Sequence, residues 1–167
     1  MPFKDDKLKW HKFIKFKAYG VHSHWLQGVI NLEFISHNPE ETEKFAFDLA
    51  SKITPPQVIC LTGDLGAGKT AFTRGFARYF GIEKGVSSPT FIIMHRYTGT
   101  EVINHYDLYR LNDYDELLDI GFEEQIESGI SLIEWPDNFM EYLPDDKIVI
   151  RITRLGENER QISLEDI

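Results

Sequence analysis

The chain has 167 residues, enough for one compact α/β domain and too few for two ordinary ones. Its composition, 42% hydrophobic and 13% aromatic, is that of a globular protein, and no apolar run approaches the ~18 residues of a membrane span. The net charge of −9 makes it a poor source of the basic face that duplex binding needs; an acidic surface suits a basic protein partner, or serves solubility alone.

Residues 1–31 hold six lysines and two aspartates, so residues 32–167 carry 12 basic and 25 acidic residues, a net charge of −13. The first segment has no clear hydrophobic period and does not read as a secretory signal. It is expected to be an extension outside a main domain of residues 32–167; a basic arm is the functional alternative. The domain opens on a short strand, residues 32–35. Asn38-Pro39-Glu40-Glu41 then reads as a helix start, with Asn38 as cap, and the helix is expected to run to about Lys52. Pro55-Pro56 predicts an extended entry to a buried strand over residues 58–62. That strand contains Cys60, the single cysteine, which reads as a small hydrophobe rather than a catalytic thiol.

A helix follows over residues 69–80, ended by Gly81, with Phe72, Phe76, Tyr79 and Phe80 spaced to face the sheet and Arg74 and Arg78 on another face. Residues 91–97 and 102–107 read as a hairpin about Thr98-Gly99-Thr100, the second strand polar enough to be half-exposed. Short helices are expected over 113–120 and 123–127, and strands over 130–133, 148–152 and 161–164. Alternation early and hairpins late predict a mixed sheet, parallel in its core and antiparallel at its edges.

Between the second strand and its helix lies Gly63-Asp64-Leu65-Gly66-Ala67-Gly68-Lys69-Thr70, followed by Ala71. This spacing, after a buried strand and before a helix, is that of a phosphate-binding loop for ATP. The glycines let backbone N–H groups curl toward phosphate oxygens, Lys69 reaches the outer phosphates, and the Thr70 hydroxyl suits magnesium. Such a site needs an acid at the end of a neighbouring strand. Glu134 ends a mostly apolar run and is the better metal-side acid; Asp107 is a second metal-side group or positions the attacking water. Ser88 and Thr90, flanking Pro89, suit a loop that senses the terminal phosphate, or a capped turn. Trp135 is a partner contact, a lid or a core residue. The six histidines show no zinc-ligand spacing.

Taken together, residues 63–70, Ser88-Pro89-Thr90, His105-Tyr106-Asp107-Leu108-Tyr109-Arg110-Leu111 and Ile133-Glu134-Trp135-Pro136 resemble the bacterial TsaE family, formerly YjeE. The resemblance spans about residues 32–167. It implies a P-loop ATPase fold and an ATPase, using magnesium, required for threonylcarbamoyladenosine beside the anticodon of tRNA. It implies the TsaB and TsaD proteins as partners, tRNA reached through that complex, and a cytoplasmic setting. It also implies Lys69 and Thr70 as phosphate and magnesium residues, Asp107 and Glu134 as the acids, and Ser88, Thr90 and Trp135 as switch or partner residues. Family members usually begin near Leu32, so residues 1–31 depart from the pattern. Two other readings stay open: a small-molecule or nucleoside kinase with Arg110 on a lid, and a binding subunit gated by nucleotide.

Overall fold

The computed structural model describes residues 33–165. In chain order these form β1 (Glu33–Ser36), α1 (Pro39–Ala50), β2 (Gln57–Thr62), α2 (Lys69–Tyr79), β3 (Met94–Thr98) and β4 (Val102–Asp107). Then come α3 (Tyr114–Asp119), α4 (Phe122–Ile126), β5 (Ile130–Glu134), a 3-10 turn over Asp137–Tyr142, β6 (Ile148–Arg154) and β7 (Arg160–Glu165). The seven strands make one sheet in the order β1-β7-β6-β2-β5-β4-β3. The four inner strands β6, β2, β5 and β4 are parallel; β7 pairs antiparallel with β6 and β1 antiparallel with β7 on one side, and β3 pairs antiparallel with β4 on the other. This is the mixed sheet expected from the order of strand and helix patterns.

Side-chain alternation along the inner strands divides the interior in two. Ile59, Leu61, Ile103, Leu132, Ile150 and Ile152 join Phe45, Phe72 and Phe76 of α1 and α2 on one face. Val58, Cys60, Tyr106, Ile133 and Val149 join Leu117, Phe122 and Phe139 on the other. The result is a three-layer sandwich in which strand ends, not strand faces, are left for chemistry. Burial pushes the Cys60 thiol up to about 12, so it packs as a hydrophobe.

α1 starts as its sequence dictates: the Asn38 side chain accepts from the Glu41 N–H at 2.8 Å, and Pro39 takes the first helical position. It stops at Ala50, before Lys52, with Ser51 as its C-cap. The Pro55–Pro56 bond is cis and the pair lies in a bend rather than an extended lead-in. α1 and α2 pack closely because Gly75 allows it. A Cβ there would stand 2.0 Å from the Glu43 carbonyl oxygen, and Glu43 in turn binds both Arg74 (2.8 Å) and Arg78 (3.3 Å).

Three expectations are corrected. Tyr79 does not face the sheet: it is 41% exposed and packs edge-on against Phe47 and Phe80, because Phe72, Phe76 and Phe80 already fill the buried stripe. β4 is not half-exposed. It lies between β5 and β3, and its polar residues are buried with partners, Asn104 on the Gln125 carbonyl and His105 on Glu134. The third strand does not begin at Phe91. Residues 90–93 form a turn, and β3 starts at Met94. The extension read over residues 1–31, and Leu32, lie outside the described residues.

Candidate functional site

β2 delivers the phosphate loop to the carboxyl end of the sheet. Gly63 has φ +135°, and a Cβ on it would lie 2.2 Å from the Ile152 carbonyl oxygen, so conformation and space both require glycine. Gly66 and Gly68 also have positive φ, and α2 begins directly after Gly68. Asp64 and Leu65 stand exposed at the crest, Ala67 is buried under it, and Thr70 and Ala71 are half-buried in the first turn of α2. Lys69 is buried. Its Nζ donates to the carbonyls of Gly63 (2.6 Å) and Asp64 (3.0 Å) and lies 3.9 Å from the centroid of the Trp135 ring. Burial lowers its pKa; the charges of Glu134, Asp107, Asp64 and Asp137 oppose that shift.

The acids come from the two strands beyond β2. β5 pairs with β2 on one side and β4 on the other, in a register that sets Glu134 opposite Leu61 and Asp107 opposite Glu134. Two carboxylates, each 3% exposed, therefore end adjacent strands beside the phosphate loop. Their surroundings differ. One oxygen of Glu134 accepts from His105 Nε2 at 2.8 Å. Asp107 Oδ2 accepts from the hydroxyls of both Ser88 and Thr90 at 2.7 Å, and its Oδ1 accepts from the Tyr109 N–H at 3.1 Å. Trp135 follows Glu134 in the left-handed region, φ +57°, which turns its half-buried ring between Lys69 and Tyr109.

These residues fit a magnesium nucleotide. Among the described residues there is no group of three or more His, Cys, Asp or Glu that forms a cage of its own. Magnesium is ordinarily held by one or two carboxylates, a hydroxyl and the phosphates themselves. Glu134, with Thr70 in the first turn of α2, supplies that kind of set, and Asp107 stands beside them at the end of the next strand. The buried positive charge of Lys69, held on loop carbonyls, suits a phosphate chain.

Sequence reasoning brought these residues to one place, and it missed two others. His105 was set aside for lack of ligand spacing, yet period-two alternation puts it on the same face as Asp107, two residues on. Arg160 had no signal at all. From the start of β7, between β1 and β6, its Nε donates to the Ala67 carbonyl at 2.8 Å, and its Nη1 gathers the carbonyls of Gly156, Glu157 and Glu159. It thus ties the β6–β7 turn to the phosphate loop, 93 residues away in sequence.

The sequence profile described as "Threonylcarbamoyl adenosine biosynthesis protein TsaE" matches residues 36–162. The chain belongs to the TsaE family. It is 42% identical over 134 residues to the tRNA threonylcarbamoyladenosine biosynthesis protein TsaE of Bacillus subtilis, covering 79% of this chain and 84% of that one. To the protein of the same name from Aquifex aeolicus it is 36% identical over 135 residues, 79% and 94% of the two chains. The crystal structure of Bacillus subtilis YdiB superposes with a TM-score of 0.67 at 38% identity, covering 80% of this chain and 84% of that one. The family resemblance read from four short motifs is thus borne out, and so is the mixed α/β fold. Among the described residues no helix is long and apolar enough to cross a membrane.

Proposed function

We propose that this TsaE-family chain binds ATP with magnesium and hydrolyses it, in the cytoplasm, as the ATPase of threonylcarbamoyladenosine synthesis on tRNA. Its direct partners are the TsaB and TsaD proteins, and tRNA is met through that complex. The observation that carries the reading is the convergence of one phosphate loop, two buried carboxylates and two hydroxyls on a single strand-end site.

The roles follow from chemistry. Residues 63–71 wrap the phosphates with backbone N–H groups, and Lys69 leaves its two carbonyls to neutralise them. Thr70 and Glu134 would hold the metal, which would offset charge on the transferring phosphoryl group. Asp107, with both oxygens already accepting, is suited to orient rather than to ligate: it positions the attacking water and reads the state of Ser88 and Thr90. Trp135, stacked on Lys69, links occupancy of the loop to the outer surface.

Among the described residues Arg110 leans on the Phe91 ring, 5.8 Å from its centroid, and Arg160 is engaged behind the loop. Neither arginine points to a built-in finger. A finger supplied by a partner is worth about 10³–10⁵ in rate. The isolated protein should therefore turn over slowly, and a TsaB–TsaD pair should accelerate it. Steady-state phosphate release at saturating ATP, with and without those partners, tests this. Fast release alone, unchanged by them, would reject the coupling. Transfer of phosphate to a small hydroxylated acceptor in the same assay would favour a kinase.

A further inference from the structure

His105 is fully buried on β4, between strands, on a face otherwise filled by Ile103, Leu132 and their neighbours. An apolar residue would pack there without polar cost. Instead the ring spends one nitrogen on Glu134 and leaves the other, Nδ1, enclosed without a hydrogen-bond partner among the described residues. A buried polar atom left unpaired is a cost that needs a return.

The direction of the bond follows from the partners. An ionised carboxylate only accepts, so Nε2–H donates to Glu134 Oε1, and in the neutral ring Nδ1 is then the lone-pair nitrogen. With Oε1 taken, Oε2 has no hydrogen-bond partner among the described residues; it is absent from the enclosed orphans, which are Asn104 Oδ1, His105 Nδ1 and the Tyr106 hydroxyl. The carboxylate is thereby held in one rotation with a single free oxygen.

We propose that His105 is the positioning residue of Glu134, locking one carboxylate oxygen so that the other is presented to the metal of the nucleotide site. This rests on the reading of Glu134 as the metal-side acid. A group that orients a ligand in this way usually changes metal affinity or activity about 10–100-fold when removed. Its effect passes wholly through Glu134, so it vanishes when Glu134 is altered.

The test uses the full chain with His105→Leu and His105→Gln, each alone and in a Glu134→Gln background. Three quantities are read: ATP binding in EDTA by calorimetry, Mn²⁺ affinity with a non-hydrolysable ATP analogue by electron paramagnetic resonance, and kcat. His105→Leu should leave metal-free ATP binding within about twofold and weaken Mn²⁺ and kcat about 10-fold or more. Glutamine carries an N–H donor at similar reach, so His105→Gln should recover both to within about threefold. In the Glu134→Gln background His105→Leu should add nothing. Equal loss in the leucine and glutamine variants, or a full further loss in that background, would assign His105 to packing alone. If the leucine variant does not fold, His105→Asn replaces it. Its amide is one bond shorter, so asparagine and glutamine behaving alike would overturn the proposal. Impaired Glu134→Gln beside a normal His105→Leu also overturns it, and leaves the Glu134 reading standing. A normal Glu134→Gln removes both.

Discussion

The two loops that bracket the acid pair are built in opposite ways. Residues 63–70 run between β2, buried at every position, and α2, whose Phe72 and Phe76 are fully enclosed; Arg160 caps the loop from behind. Residues 85–93 are held at the site by two hydroxyls on Asp107 Oδ2 and by the Asp107 N–H on the Ile93 carbonyl. Past that tether Phe91 is 89% exposed and Ile92 61%, and Ile93 sits at φ +65°, rare for a β-branched residue. One loop is fixed by the core and suits binding. The other is anchored in the core at Val86 and to Tyr97 at Ser87, but from Ser88 onward it is tied to the site by a few polar bonds, where the arrival of a ligand can compete, and suits response.

The largest effect should fall on the fixed loop. Lys69→Met should weaken ATP binding about 100-fold, the loss of charge-assisted phosphate contacts, measured by calorimetry. In the nucleotide-free protein the same change removes a buried charge together with its bonds to the Gly63 and Asp64 carbonyls, and the charge contributes the part that depends on pH. Burial holds Lys69 below its ordinary pKa of 10.5, so charging it costs stability. The cost is complete below the lowered value, shrinks as pH rises toward 10.5, and is gone above that. The melting temperature of Lys69→Met relative to the parent should therefore fall as pH rises through the same window. A variant that binds ATP normally would show that the loop is not the nucleotide cradle.

On the hanging loop, Thr90→Val removes one of the two hydroxyl donors to Oδ2 of the buried Asp107 carboxylate while keeping shape. Hydrolysis should fall about 10-fold and ATP affinity stay within about twofold. An equal loss of both would mean that the two loops work as one rigid cradle.

The sequence disclosed these two loops unequally, for a physical reason. The phosphate loop is a local object: strand, glycines and helix follow one another, and the pattern carries its own geometry. The run Phe91-Ile92-Ile93 looks like a strand because it is apolar, but Asp107, sixteen residues after Phe91, decides its shape by binding Thr90 just before it. Polar Asn104 and His105 suggested an exposed β4 because their partners, Gln125 and Glu134, arrive from other elements. Arg160 was invisible for the same reason. Its effect should be modest: Arg160→Gln leaves the Ala67 carbonyl without its cap, and ATP affinity should drop about fivefold with kcat at saturation unchanged. A fall in kcat with affinity intact would instead make Arg160 a finger that swings to the phosphate.

The smallest effect separates the loops most cleanly. Phe72→Ala, under the fixed loop, should cost about 3–5 kcal/mol, the usual toll of emptying a buried aromatic site. Phe91→Ser removes a ring of the same size that is 89% exposed and faces the Arg110 guanidinium at 5.8 Å. It should change stability by less than about 0.5 kcal/mol, a shift of about 2 °C or less in a domain of this size. ATP affinity of the isolated protein should also hold, because Thr90, not Phe91, carries the tether to Asp107. Such neutrality means that the fold does not need an aromatic ring at position 91. A melting point lowered by several degrees would instead show the ring folded back into the body in solution, and the contrast between a fixed and a hanging loop would fail.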